Sequence, residues 1–245
     1  MSNFIPNLPQ DNAKIVVMST NNKELVKRVE KLGVKVLPSE NLSKLLIFEQ
    51  YHTDLQFLHY NKDTVFVFKE CTSLKENLKK YFPNVIEISK NIEKDYPNNV
   101  MLNCVVLNDK LICNTKTISD EVLQMAIKDN LKIINVNQGY TKCSTCIVSE
   151  NAIITSDKSI YKSCRNEVDV LLIRQGYIEL PGTDYGFIGG SSFKYNRNTL
   201  VFTGNIKLHP DYESIKSFAQ NHNVELLSLT ENTMIDIGSI IPIDW

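Results

Sequence analysis

Two cysteines three residues apart, Cys143 and Cys146, are the strongest nucleophiles this sequence offers. A thiolate can attack an electrophilic carbon and hold it covalently. An imidazole can carry the proton to and from a leaving group, and carboxylates can hold a cation in pairs of hydrogen bonds. Residues of the right types are His52 and Asp54, Asn99 and Asn103, Cys143 and Cys146, Asp184, and Asp236. They are widely separated, so this chemistry needs a fold that brings distant segments to one point.

Each of these residues also has a plainer role open to it. Cys143-x-x-Cys146 has redox or zinc spacing, but a redox pair usually opens a helix and the flanks here read as strand. Zinc needs two further ligands, and no second Cys-x-x-Cys exists. His52 also fits a hydrogen-bonded strand-end histidine, Asp236 a turn cap, and Asn103 a partner for backbone. His209, before Pro210, fits the start of a helix, and His59 and His222 fall at a turn and a helix end. Cys71, Cys104, Cys113 and Cys164 are isolated and read as small buried apolar residues. Gly189-Gly190 is followed by no helix, so it serves close backbone approach or a strand bend, not a dinucleotide.

The elements that must position these residues form a repeat of about forty residues. Its plan is strand, polar turn, strand, helix, strand. The first unit lacks an opening strand: residues 13–19 are a strand, Asn21-x-x-Glu24 a capping box, Leu25, Val29 and Leu32 a helical stripe, Gly33 its stop, and 34–39 a strand. The second has strands at 52–58 and 64–68, a helix capped by Ser73-x-x-Glu76 and stopped by Pro83, and a strand at 85–88. The third has strands at 100–107, 111–114 and 132–136 around a helix over 119–130. The fourth has strands at 142–149, 152–156 and 169–173, with a short helix capped by Asp157. The fifth has strands at 186–195, 199–204 and 224–229, and a helix over 210–222 with Pro210 at its first position.

Residues 230–245 then supply one more opening strand with no helix behind it. The first unit wants such a strand, so pairing the two closes a ring and removes exposed sheet edges. An open α/β sheet with an antiparallel edge is the alternative. In a ring the opening strands lie nearest the axis, and the starts of those strands face a central channel suited to a small molecule.

Five ββαβ units with Cys, His and acidic residues at the axis resemble the pentein fold, a five-bladed pseudo-symmetric α/β propeller. This is the fold of the guanidine-modifying enzyme superfamily: arginine and agmatine deiminases, dimethylarginine hydrolases and amidinotransferases. The likeness covers nearly the whole chain and makes residues 1–245 a single domain. YHTDLQF at 51–57 is similar to the family's His-x-Asp strand, which makes His52 its catalytic histidine. VNQGYTKCSTCIV, about ninety residues on, is similar to the strand bearing the nucleophile. Cys143 lies nearer the strand mouth, while Cys146 better fits the family's spacing to the turn. NNVMLNCVVLNDKL is similar to the blade between them. DIGSIIP resembles a Glu-Gly-Gly-Asp strand, casting Asp236 as a substrate carboxylate, and TDYGFIGGSSF offers Asp184 as another. The cysteine strand lies mid-chain, as a circular permutation of the family order would place it.

The resemblance implies a cysteine-dependent hydrolase or transferase acting on a guanidine- or amidine-bearing small molecule. Cys143 or Cys146 and His52 would be catalytic, Asp54, Asp184, Asp236 and Asn103 would contact substrate, and no cofactor or metal is expected. The superfamily also includes penteins that catalyse nothing, such as the ribosome anti-association factor. The alternative is therefore a pentein that binds a small ligand or a protein partner without chemistry.

Composition narrows the partners. The net charge of −1 gives no reason to expect nucleic acid or an anionic membrane. No apolar run reaches membrane-spanning length, and the first residues lack the basic and apolar regions of a secretory signal. Six cysteines are too sparse for a disulfide scaffold in a chain of 245 residues. Reduced thiols in the cytoplasm are expected, and nothing in the sequence sets an oligomeric state.

Overall fold

The computed structural model describes residues 4–245. The first unit comprises β1 (Ile15–Met18), α1 (Lys23–Glu30) and β2 (Lys35–Pro38). The second comprises α2 (Thr53–Gln56), β3 (Phe57–His59), β4 (Thr64–Val67), α3 (Thr72–Leu78) and β5 (Asn84–Glu87). The third comprises β6 (Val105–Leu107), β7 (Lys110–Cys113), α4 (Asp120–Lys128) and β8 (Lys132–Asn135). The fourth comprises β9 (Thr145–Ser149), β10 (Ala152–Thr155), α5 (Lys158–Cys164) and β11 (Asp169–Leu172). The fifth comprises β12 (Ser192–Asn196), β13 (Thr199–Phe202), α6 (Tyr212–Asn221) and β14 (Glu225–Ser228), and β15 (Ile240–Asp244) ends the chain.

These strands make five three-stranded sheets. In each, the middle strand pairs antiparallel with an inner strand and parallel with an outer one, and a helix crosses between middle and outer strands. β15 completes the first sheet by pairing antiparallel with β1, Met18 opposite Ile240. This is the closure that the leftover strand implied, so the open-sheet alternative is excluded. The core confirms it. One apolar cluster joins units one to three, another three to four, another four to five, and Val16, Met18 and Leu25 pack with Phe193 and Val201 to join five to one.

Sequence dictates the layering within each blade. Middle strands are covered on both faces and read as near-continuous apolar runs, IVVM, TVFV and AIIT among them. Outer strands alternate, as in ELLS of β14, because one face meets solvent.

Helix starts depart from expectation by a residue or two. The cap of α1 is Asn22, not Asn21; its side chain accepts from Leu25 N at 3.1 Å. α3 has no Ser73 capping box, because Glu40 reaches across from another segment and accepts from Leu74 N at 2.9 Å. α6 begins at Tyr212, leaving Pro210 outside it. The expected strand over 52–58 is instead the helical turn α2 followed by a short strand, since Asp54 N is drawn out of the ladder to Gly238 O at 3.0 Å.

Candidate active site

The axial residues sit in one-turn segments that precede the inner strands. Asn103 precedes β6, residues 140–144 precede β9, and Ile188–Ser191 precede β12, with Ser144 N bonded to Tyr140 O and Ser191 N to Ile188 O. A turn can present polar side chains inward where the converging strands leave no room for further pairing.

Three segments meet at Gly190. Its N–H donates to Cys143 O at 2.9 Å, and its carbonyl accepts from Ile237 N and Ser239 N. A Cβ there would strike the Asp236 carboxylate, so only glycine lets the cysteine turn and the Asp236 turn approach this closely. Gly238 plays the same part for His52: its φ is +73° and a Cβ would collide with the histidine. Close approach was the role expected for the Gly-Gly pair.

At this junction His52, Asp54 and Cys143 each offer a polar atom within 4.8 Å of the others. The Cys143 thiol donates to Asp54 Oδ2 at 3.0 Å, and Asn103 Nδ2 donates to the sulfur at 3.3 Å. Ser239 Oγ also donates to Asp54 Oδ2, at 2.5 Å, and receives Lys142 Nζ at 3.1 Å. Asp54 is 1% exposed, and its Oδ1 has no hydrogen-bond partner among the described residues. Asp236 Oδ1 accepts from Gly238 N and Oδ2 from Phe187 N, both at 2.9 Å.

Burial and two carboxylates set the charge states. The Cys143 thiol is held well above its ordinary range, first by burial, then by the charges of Asp54 and Asp236 and the hydrogen bond to Asp54, against a smaller opposing effect of Asn103. Asp236 is raised by burial, an effect reinforced by Asp54 and opposed by His52 and the two backbone N–H groups. The resting site therefore holds a neutral thiol.

Cys143, His52 and Asp236 border a cavity of about 310 Å³. Its other walls come from two loops. One, between β2 and α2, brings Leu46, Phe48 and Glu49; the other, between β11 and β12, brings Leu180, Thr183, Asp184, Tyr185 and Phe187. The neck of the first is tied by Gln56, which exchanges 2.8 Å hydrogen bonds with the Glu40 backbone, and by Ser39 Oγ donating to Tyr51 O. A second cavity, of about 600 Å³, shares His52, Asp236, Phe48 and Leu180 and extends to Asn22 and Lys23.

The expected residues are thus only partly gathered. Cys143, His52 and Asp236 face the cavity, and Asp184 stands exposed at its rim. Asp54 lies behind Cys143, bonded to its thiol. Asn103 is not in the cavity wall: its Oδ1 accepts from Lys142 N at 2.7 Å and Cys143 N at 3.3 Å, so it clamps the cysteine turn. Cys146 points the other way, into the cluster of Val148, Ile188 and Leu200. Burial pushes its thiol up to about 11, with Ser192, Lys142 and Lys194 opposing. All six cysteines are free.

Sequence reasoning missed Glu49 and Tyr140. Glu49 is 4% exposed and accepts from Tyr140 OH at 2.8 Å and Asn99 Nδ2 at 3.2 Å. Tyr140 lies in the same turn as Cys143, a signal that was available; Glu49 sits in an aperiodic loop that offered none. Among the described residues, His52, Asp54 and Cys143 are the one group whose donors could converge on a metal ion, and no helix is long and apolar enough to cross a membrane.

A model for a family described as a family of unknown function, DUF6873, matches residues 16–241. No curated protein matches the chain. Among solved structures, the chain is similar to an amidinotransferase of the saxitoxin biosynthetic pathway from Microseira wollei, with 10% identity, 96% of each chain covered and a TM-score of 0.56. It is similar to the inosamine-phosphate amidinotransferase of Streptomyces griseus, with 11% identity, 99% of this chain and 96% of that one covered, and a TM-score of 0.59. It is also similar to a dimethylarginine dimethylaminohydrolase, with 10% identity, 88% and 92% covered, and a TM-score of 0.55. The architecture these structures share with the chain is the pentein fold, a five-bladed α/β propeller.

Proposed function

We propose that this chain, which belongs to the DUF6873 family of unknown function, is a cysteine-dependent hydrolase or transferase acting on a guanidine- or amidine-bearing small molecule. The observation that carries this reading is the placement of Cys143, His52 and Asp54 within 4.8 Å of one another beside a cavity that Asp236 also borders. The solved structures of similar fold include amidinotransferases and a dimethylarginine hydrolase, which supports the same substrate class.

In this reading the substrate itself activates the nucleophile. The carboxylates that hold the thiol neutral also attract a planar cation, whose N–H groups would meet Asp236 in the cavity wall while Asp54 acts through its charge from behind the thiol. A positive charge over Cys143 cancels their effect and lowers the thiol pKa. The sulfur then bonds to the central carbon, one C–N bond breaks, and His52 passes the thiol proton to the departing amine. Water or an acceptor amine adds to the same carbon, the S–C bond breaks, and the thiol is restored. The reduced cytoplasm would keep the thiol free.

Alkylation kinetics test this. Chloroacetamidine, a cation, should modify Cys143 at least about tenfold faster than neutral chloroacetamide near neutral pH. Equal rates for the two reagents, or modification of Cys146 instead, would reject the assignment.

A further inference from the structure

Among the described residues, no lysine or arginine lines the cavity above Cys143. Its acidic walls are Glu49, Asp184 and Asp236, and His52 is the one basic side chain the described residues bring to it. Tyr140, Tyr185 and Phe187 complete a wall of aromatic faces, with Tyr140 stacked on Phe187 at 6.1 Å between centroids. Such faces favour cations. Lys23 borders only the second cavity, which shares Phe48, His52, Leu180 and Asp236 with the first.

Glu49 is the second charge of this cavity. Its two hydrogen bonds come from neutral donors, Tyr140 and Asn99, so its charge has no counter-ion from the described residues. Asn99, which donates to Glu49, lies behind it and is not in the cavity wall, so Glu49 and Tyr140 are the groups of this trio that a ligand meets. A nearly buried carboxylate without a counter-ion is completed by a cation in the cavity it borders and made worse by an anion.

Resting on the proposed guanidine chemistry, we infer that the substrate carries a second positive charge and no carboxylate: an aminoalkyl guanidine whose guanidinium lies at Cys143 and Asp236 and whose ammonium lies at Glu49. α-Amino acids bearing a guanidine are excluded, because their carboxylate would enter a cavity with three acidic walls and no fixed cation to receive it.

The test separates recognition from chemistry. Binding to Cys143→Ala is measured by calorimetry with agmatine, L-arginine and butylguanidine. Agmatine should bind about a hundredfold tighter than L-arginine, the effect of placing like charges together, with butylguanidine between them. Glu49→Gln in the same background should erase most of the advantage of agmatine over butylguanidine. L-Arginine binding as tightly as agmatine, no binding by any of the three, or an agmatine advantage unaltered by Glu49→Gln overturns the inference. Agmatine binding as expected but left unchanged by the wild-type protein upholds this recognition and overturns the catalytic reading instead.

Discussion

Cys143 and Cys146 leave the same short segment in opposite directions, into surroundings of opposite sign. Cys143 meets Asp54, Asp236, His52 and a cavity of about 310 Å³. Cys146 meets Ser192, Lys142, Lys194 and packed aliphatic side chains, and the void nearest those lysines is about 10 Å³, far too small for a guanidine substrate. By charge alone the lysine side would yield the better thiolate, and burial pushes both thiols up. Cys143 is set apart by access to a ligand whose charge can reverse the local field. For the proposed nucleophile, resting pKa is therefore the wrong criterion; the right one is what a bound cation would do to the thiol.

Exchanging the two cysteines one at a time should break this symmetry most sharply. Cys143→Ala should remove turnover of a guanidine substrate, a loss of about 10⁴-fold or more, with an unchanged thermal midpoint. Cys146→Ala should keep activity within about threefold while lowering stability by about 1–2 kcal/mol, since it leaves a small cavity in packed surroundings. Steady-state rates and melting curves on the two variants decide it, and the reverse pattern would make Cys146 the nucleophile.

The carboxylates offer a finer measurement. Asp54→Asn removes a charge that raises the Cys143 pKa and weakens cation binding, so two observables should move oppositely. kcat/KM for the guanidine should fall about a hundredfold. The pH at which neutral chloroacetamide begins to alkylate Cys143 should shift downward, because the thiolate no longer faces a second negative charge. An upward shift would show that Asp54 stabilises the thiolate and would undo the account of substrate-driven activation.

The parts of this comparison differ in how visible they are in the sequence. Ring closure was legible because a repeat with one strand missing at its start and one left over at its end has a single economical solution, β15 beside β1. Cys143, His52 and Asp236 were legible because they fall at the mouths of repeated strands. The choice between the cysteines was not, since a residue three places further on turns to the other side only once the 140–144 turn replaces strand, and no periodicity announces that turn. Glu49 was invisible for a related reason. Its loop is held by Gln56 and Ser39, contacts that follow no repeat spacing. The starts of α1 and α3 were misplaced for the same kind of reason: Asn22 adjoins an Asn21 of equal propensity, and Glu40 caps α3 from 34 residues away, outside any local pattern.

The smallest effect should come from the lysine side itself. Lys194 is 2% exposed, its ammonium donates to Arg197 O at 2.8 Å, and burial lowers its pKa to about 8. A lysine whose folded pKa lies below its unfolded value binds fewer protons when folded, so its presence costs stability while both states are charged, below pH about 8, and that cost fades as pH rises toward the unfolded value. Lys194→Met removes the buried charge and one hydrogen bond whose acceptor belongs to an exposed turn. It should leave turnover unchanged and raise stability by about 1 kcal/mol below pH 8, with the gain shrinking toward pH 10. Denaturant melts of both proteins across that range measure the difference directly, because every other titrating group is common to the two. If turnover collapses instead, the lysines act on the cysteine turn through Lys142 and Ser239, and the two sides of the axis form one site.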